Sequence, residues 1–353
     1  MDSRERVLRA LKHKEADRVP IQDSLWATTV ERWQQEGMPR DIRPEDYFDF
    51  EMEGFKPDTS FLLPGQVVEE TEDAIIATNA WGVTQKNWKR RTSTPEFVKF
   101  SVTSRERWEE RKDLLVFKPE RILREQDAPL LNAARNKGRF VHFSAAVGYD
   151  KFSSIVGPET LLPALLLEPD WVYEMFETHV RLVLECAEEM FGMGYDFDGA
   201  FFFDDLGYKN GVFFSTAIYR EILQPHHKRL CDFFHGRGCP VILHSCGNVI
   251  EHIPALIEAG FDCLQALEVK AGMDLPTLKK DFGDRLAFMG GIDVRAMMDP
   301  DPRRIEEEIR RKIPAAMKGG GYIYHSDHTV PDGVSLSRFQ IILDLVRTWG
   351  RFS

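Results

Sequence analysis

The feature that most constrains the fold is a regular alternation of short apolar runs and long helical segments from Phe140 onward. The apolar runs cover residues 140–143, 199–203, 241–244, 263–267, 286–290 and 321–324. The stretches between and after them that read as helices cover 159–192, 215–237, 250–259, 274–282, 303–318 and 335–349. Runs that are apolar on both sides and alternate with helices are typical of a parallel sheet covered by helices.

This alternation favours a closed barrel over an open sheet. Six strand–helix units and an early strand or two near Val19 point toward eight strands, and therefore toward a (β/α)8 TIM barrel. An open doubly wound sheet needs a glycine-rich phosphate loop after its first strand, whereas the glycines at 319–321 precede a strand. Residues 1–135 look irregular and polar, with two short strands in 71–84. We predict a single domain over residues 1–353, with an irregular N-terminal extension.

Composition excludes several classes of protein. A formal net charge of −11 argues against nucleic acid as a partner. The longest apolar candidate, residues 161–167, is far shorter than a membrane span requires. The charged N-terminus does not resemble a secretion signal, and five scattered cysteines read as reduced thiols. We therefore predict a cytoplasmic protein with no membrane partner.

Polar side chains follow nearly every predicted strand. In a barrel enzyme the functional groups gather at the carboxyl ends of the strands. The side chains at those ends are Asp204, Asp205, Tyr208, Asn210, His244, Cys246, Gln265, Glu268, Asp293, His325, Asp327 and His328. So many polar groups exceed what stability requires, which predicts an active cleft at this end of the sheet.

The segment HSCGNV, residues 244–249, carries two good metal ligands. His244 and Cys246 are two residues apart, so on an extended backbone they point to the same side. Thiolate and imidazole together suit zinc, and a catalytic zinc site needs about three protein ligands. The third is expected to be His328 or His325. The alternative is that Cys246 only packs in the core and His244 caps a turn.

Asp204 and Asp205 are the candidate catalytic acids. Adjacent acids at a strand end often cap the following turn or helix, since Asp accepts from free backbone N–H groups. We expect one of the pair to do so, and the other to act as a base, a metal ligand or a partner of a ligand. Phe201 and Phe202 are interpreted as core rather than as part of an aromatic substrate cage.

Over almost its whole length the chain resembles the uroporphyrinogen decarboxylase superfamily. The similar segments are RERVL (4–8), DRVP (17–20), FDDLG (203–207), HSCGN (244–248), GGID (290–293) and GGYI (320–323), followed by His328 and Pro331. The resemblance implies a single distorted (β/α)8 barrel whose cleft lies at the carboxyl ends of the strands.

The superfamily has a decarboxylase branch, which needs no cofactor. Its members bind a polycarboxylated porphyrinogen and carry an early Arg-Gln-Ala-Gly-Arg signature to hold the acids. The equivalent segment here reads RVPIQDSLW (18–26), without that arginine pair and with an added Asp23. An acidic, aromatic entry is poorly suited to a polyanion. A cofactor-free decarboxylase is therefore kept only as the alternative.

The other branch is the corrinoid-dependent methyltransferases, which bind zinc through His-x-Cys and a third ligand that is commonly cysteine. His244 and Cys246 match the first two ligands, and His328 stands at the third position. One thiolate fewer leaves a more electrophilic metal. We therefore expect removal of a methyl group from a small methoxylated or hydroxylated donor, as in an O-demethylase, rather than methylation of a thiol.

The resemblance also implies the cofactors and partners. Zn²⁺ is expected on His244, Cys246 and His328, with a corrinoid (cobalamin) on a separate protein, because this chain has no recognisable cobalamin-binding segment. Asp204 or Asp205 is expected to hold a substrate hydroxyl or to orient a zinc ligand. The residues expected to line the substrate cleft are Trp26, Phe203, Tyr208, Asn210 and Gln265. A non-catalytic member that binds a small ligand remains a further alternative.

Overall fold

The computed structural model describes residues 1–89 and 93–352. The β-strands are β1 Met52–Phe55, β2 Gln66–Glu70, β3 Ala74–Thr78, β4 Thr84–Trp88, β5 Glu96–Lys99, β6 Phe140–Ala146, β7 Gly199–Phe203, β8 Gly207–Tyr208, β9 Gly211–Val212, β10 Val241–Ser245, β11 Cys263–Ala266, β12 Ala287–Gly290 and β13 Tyr322–Ile323. The α-helices are α1 Ser3–Leu11, α2 Ala27–Gln35, α3 Pro44–Tyr47, α4 Arg105–Glu109, α5 Arg124–Asn136, α6 Gly148–Val156, α7 Pro158–Leu167, α8 Pro169–Gly192, α9 Thr216–Ile218, α10 Gln224–His235, α11 Ile253–Ala259, α12 Leu275–Phe282, α13 Val294–Met298, α14 Pro302–Met317 and α15 Leu336–Trp349.

Seven parallel strands form the main sheet, in the order β1-β6-β7-β10-β11-β12-β13. Every pairing between neighbours in this order is parallel. All six strands predicted from Phe140 onward are present, and helices follow each of them along the chain. The mixed α/β class and the parallel sheet predicted from the sequence are thereby confirmed.

The eighth position of the predicted barrel is not a regular strand. In place of the strand expected near Val19, isolated parallel bridges join Ile21 to Tyr324 and Leu25 to Val330. On the other side, the Glu51 N–H just before β1 donates to the Ile21 carbonyl at 3.1 Å. Pro20 has no N–H, and the Ile21 N–H donates to the Glu51 carboxylate at 2.8 Å, so no ladder can form here. The sheet therefore curls like a barrel, and residues 20–25 connect its two edges.

A small apolar cluster fills the inside of the curled sheet. It contains Val7, Ala10, Leu11, Met52, Phe140, Phe201, Ile242, Cys263, Ala287, Met289 and Ile323. Helix α1 contributes its apolar face to this cluster. The Arg4 N–H donates to Gly138 O, and the Arg4 guanidinium pairs with Asp198, so α1 lies under the amino ends of β6 and β7. The carboxyl ends of the strands remain open to a cavity.

Residues 1–135 are more ordered than the sequence predicted. They supply β1 to the main sheet, and β2 to β5 form a separate four-stranded antiparallel sheet. All residues of β2 and β5 are exposed, so these strands lack the apolar alternation by which a half-buried strand is recognised. Among the described residues, no helix is both long enough and apolar enough to span a membrane.

Candidate metal centre

The strand register gathers the candidate site. Phe203, His244, Gln265 and Met289 are direct partners at the carboxyl ends of β7, β10, β11 and β12. Neighbouring strands lie about 4.8 Å apart, so these four side chains are adjacent. They line a cavity of 380 Å³. The other lining residues are Gln22, Ser24, Trp26, Met52, Thr94, His142, Phe201, Cys246, Ala266, His325, His328 and Thr329.

Three possible metal ligands meet at one wall of this cavity. His244 Nε2 lies 3.3 Å from Cys246 Sγ and 3.4 Å from Asp205 Oδ1. The ligand atoms of all three residues lie within 4.8 Å of one another. Two nitrogen, oxygen or sulfur ligands of a tetrahedral zinc ion are separated by about 3.3 to 3.6 Å. The donor set and its spacing therefore fit zinc.

Gln265 orients the His244 ring. The Gln265 side-chain carbonyl faces His244 Nδ1 in a short hydrogen bond. Because Nδ1 donates this bond, Nε2 is left with its lone pair directed at Cys246 and Asp205. Burial lowers the pKa of His244, which favours the neutral imidazole that a metal requires. This role of Gln265 was not predicted, since the pairing of β10 with β11 is a tertiary contact.

The loop that carries Cys246 is fixed by backbone hydrogen bonds. The Cys246 N–H donates to Asp205 Oδ1 at 2.7 Å, and the Gly247 N–H donates to Glu268 Oε2 at 2.8 Å. Gly247 has a φ of +77°, and a Cβ there would lie 2.3 Å from the carbonyl carbon of Gly207. Burial, and then the Asp205 charge, raise the pKa of the Cys246 thiol. A bound cation would favour its thiolate instead.

The structure separates the two adjacent acids. Asp204 is fully buried, accepts the Asp150 N–H at the start of α6 at 2.7 Å, and lies 3.0 Å from His227 Nε2. Asp205 faces His244 and Cys246 instead. Burial, followed by the charges of Asp205 and Asp204, raises the pKa of the Asp150 carboxyl to about 7. The geometry thus gives Asp204 a cap-like position and Asp205 a position at the metal centre.

His325 and His328 line the same cavity as His244. Neither belongs to the close group of ligand atoms, which among the described residues consists of Asp205, His244 and Cys246. His325 Nε2 lies 3.1 Å from Ser24 Oγ, and His325 Nδ1 lies 2.7 Å from Ser326 O. The His328 ring lies 6.2 Å from the Trp26 ring. The assignment of His328 as third ligand remains a prediction.

The residues predicted to bind substrate fall into two groups. Trp26, Phe203 and Gln265 line the cavity. Tyr208 and Asn210 belong to the β8–β9 hairpin and are not part of the cavity lining, and Tyr208 is exposed.

His142 is one of the cavity-lining residues that sequence reasoning missed. It was not among the candidate site residues, but it lines the cavity. Burial lowers the pKa of His142 to about 4, so the ring is neutral. The signal that could have found it is the two-residue period that places Phe140 and His142 on the same side of β6.

Comparison with known proteins agrees with this architecture. Residues 149–349 match the family model described as uroporphyrinogen decarboxylase (URO-D). The chain aligns with 99% of a methyltransferase from Methanosarcina mazei over 99% of its own length, with a TM-score of 0.69 and 16% identity. At that identity the likeness shows the fold alone.

Curated relatives match over a shorter span. A uroporphyrinogen decarboxylase from Saccharophagus degradans is 31% identical over 103 residues, which are 28% of this chain and 27% of that protein. A uroporphyrinogen decarboxylase from Pectobacterium carotovorum subsp. carotovorum is 27% identical over 116 residues, which are 33% of this chain and 31% of that protein. The chain thus spans less than a third of the length of these two relatives. The family expected from the sequence motifs is nevertheless confirmed by the family model, and the chain belongs to the uroporphyrinogen decarboxylase (URO-D) family.

Proposed function

We propose that the protein is a zinc-dependent methyltransferase, which moves a methyl group from a small methoxylated or hydroxylated donor to a corrinoid on a separate protein. The observation that carries this proposal is the group of His244, Cys246 and Asp205 on the wall of a 380 Å³ cavity. Zinc bound there would supply a Lewis acid that draws electron density from the donor oxygen. The methyl group would pass to Co(I), and the donor oxygen would keep the electron pair of the broken bond and take up a proton.

The side chains of this cavity have distinct tasks in the proposal. His244 and Cys246 hold the metal, and Gln265 keeps His244 Nε2 directed at it through the bond to Nδ1. Asp205, whose carboxylate belongs to the same group of possible ligand atoms, would supply the third ligand, and it also fixes the Cys246 backbone. Trp26 and Phe203 provide apolar walls that exclude water from the donor.

The lining of the cavity supports methyl transfer over porphyrinogen decarboxylation. No lysine or arginine occurs among its described lining residues, which include four histidines and several aromatic side chains. Burial lowers the pKa of two of these histidines, His142 and His244, which removes positive charge. A polycarboxylated ligand requires cations around it. Because the chain is similar to uroporphyrinogen decarboxylases, decarboxylation is the alternative function to be tested.

Zinc analysis and a methyl-transfer assay test the proposal together. Purified protein should contain about one zinc per chain and should methylate Co(I) cobalamin in the presence of a methoxylated donor. Cys246→Ser should lose zinc affinity by at least about tenfold and lose transfer, because a neutral hydroxyl is a poor zinc ligand. Circular dichroism should show that the variant stays folded.

Two results would contradict the proposal. One is a folded protein that cannot be loaded with zinc. The other is formation of coproporphyrinogen from uroporphyrinogen without metal or corrinoid, which would establish the decarboxylase alternative. Cys263→Ser is the matched control. Cys263 is buried inside the curled sheet and does not belong to the group of possible metal ligands found among the described residues.

A further inference from the structure

A second cavity, of 480 Å³, lies beside the metal cavity at the carboxyl end of β6. Phe203 lines both cavities. The strand register places Ala146, in the wall of the second cavity, and His244, in the metal centre, on either side of Phe203. With neighbouring strands about 4.8 Å apart, the α-carbons of Ala146 and His244 are separated by roughly 10 Å. That separation is comparable to the length of a small aromatic carboxylate, so one such ligand would be long enough to reach both cavities.

Lys56 and Lys151 are the two lysines that line this second cavity, and Lys151 belongs to α6. Its ammonium lies 5.4 Å from the centre of the Trp81 ring, and the side chain is partly buried. Among the described residues, no carboxylate pairs with it and no acceptor takes a hydrogen bond from it. Burial lowers the pKa of Lys151, the charges of Asp150 and Asp58 oppose this effect, and the charge of Lys56 adds to it. A partly buried ammonium without an acceptor is unfavourable, and an anionic ligand would relieve that cost.

The remaining polar groups of the second cavity suit a small anion. Its ionisable lining residues are Lys56, Lys151 and Asp58, so two positive charges face one negative charge. The Asp58 carboxylate already accepts the Ser60 N–H at 2.8 Å. Ser144 adds a hydroxyl to the wall. The net positive charge matches a monoanion such as a carboxylate.

Arg121 makes one wall of this cavity rigid. It is fully buried and donates to the carbonyls of Asp58 and Ser60 at 2.9 Å and 2.7 Å. Among the described residues, its guanidinium also donates to the carbonyls of Val116 and Leu114. All these donors of Arg121 bond to backbone carbonyls, so the cations available to a ligand are Lys151 and Lys56.

We propose that the second cavity is a carboxylate-binding subsite, in which Lys151 pairs with the carboxylate of the methyl donor while the donor's methoxy group lies at the metal centre. Trp81 and Phe203 supply flat apolar walls for the part of the donor between its two ends. The identity of the ligand as methyl donor rests on the proposed function. The anion site itself rests on the geometry around Lys151.

Calorimetric titration with benzoate tests the subsite without any methyl transfer. Wild-type protein should bind benzoate, and Lys151→Met should weaken binding by about tenfold to a hundredfold, since a hydrogen bond to a charged group is lost. Lys151→Arg should retain binding within a few-fold because it keeps the charge. Lys318→Met is the matched control. It removes the same charge from an exposed position at the end of α14. Equal benzoate affinity in wild type and Lys151→Met would overturn the proposal.

A second pair of probes identifies the source of the carboxylate. para-Methoxybenzoate should compete with benzoate and should have a lower KM than para-methoxybenzyl alcohol, with the difference abolished in Lys151→Met. Benzoate that binds without competing with para-methoxybenzoate would overturn the assignment to the methyl donor. If benzoate binding depends on Lys151 but no donor supports methyl transfer, the proposed function fails while the carboxylate subsite stands.

Discussion

At the scale of single residues, the third zinc ligand is the sharpest question. The sequence favoured His328, whereas the structure brings Asp205 to His244 Nε2 at 3.4 Å. A carboxylate and an imidazole are both ordinary zinc ligands, so chemistry alone does not choose between them. Distance and the backbone bond to Cys246 favour Asp205.

Zinc affinity in matched variants decides between these two residues. We expect Asp205→Asn to weaken zinc by about tenfold to a hundredfold, the cost typical of disturbing a ligand or its supporting partner. His328→Ala should bind zinc within a few-fold of wild type and instead raise the KM for the donor. Competition with a chromogenic chelator measures both. A larger loss of zinc in His328→Ala than in Asp205→Asn would restore the assignment made from the sequence.

At the scale of elements, Asp204 connects β7 to two helices. Its carboxylate accepts the Asp150 N–H in the first turn of α6 and faces His227 of α10 at 3.0 Å. His227 in turn bonds the Tyr219 hydroxyl at 2.9 Å. Because Asp204 is completely buried, removing it leaves the Asp150 N–H without its acceptor and the neighbouring His227 without a carboxylate beside it.

Asp204→Ala should therefore lower the free energy of unfolding by roughly 2 kcal/mol while zinc binding is retained. Asp204→Asn should lose less, because the amide oxygen can still accept the Asp150 N–H. Urea denaturation combined with zinc content measures both effects. Wild-type stability with lost activity in Asp204→Ala would instead return Asp204 to a catalytic role.

At the scale of the whole molecule, buried neutral histidines make the fold sensitive to acid. Burial lowers the pKa of His142, His226 and His252 to about 4, and that of His179 to about 3. In the unfolded chain the same groups bind a proton below the ordinary value of 6.5. The unfolded state therefore holds more protons than the folded state below pH 6.5, and stability must fall as the pH falls toward the folded pKa values.

Each such imidazole should lower the free energy of unfolding by up to about 2 kcal/mol as the pH falls from 6.5 to 5. Urea midpoints at about pH 7, 6 and 5 measure the slope. His179→Phe should reduce it by close to one proton, because neither His179 ring nitrogen has a hydrogen-bond partner among the described residues. A stability that does not change across this range would contradict the burial of these rings.

The sequence predicted the elements whose pattern is local and missed those set by distant contacts. The six later strands were recognisable because each is a short apolar run between helices. The segment near Ile21, which connects the two edges of the main sheet, was not recognisable. Its conformation depends on a bond to the Glu51 carboxylate 30 residues away. For the same reason the sequence did not predict that the Gln265 side-chain oxygen faces the ring of His244. The sequence predicted that the two adjacent acids have different roles. Only the packing shows that Asp204 is the buried one and that Asp205 faces His244 and Cys246.

The segment of residues 20–26, which connects the two edges of the main sheet, can change its side chains more freely than the paired strands can. Gln22, Ser24 and Trp26 line the cavity from a segment that is held by isolated bridges rather than by a ladder. His244 and Gln265, on the opposite side, sit in fully paired strands. Mutations in this segment can change the wall of the cavity without shifting the register of the sheet. Under the proposed function, substitutions at residues 20–26 would therefore exchange one methyl donor for another while the proposed metal ligands His244 and Cys246 stay unchanged.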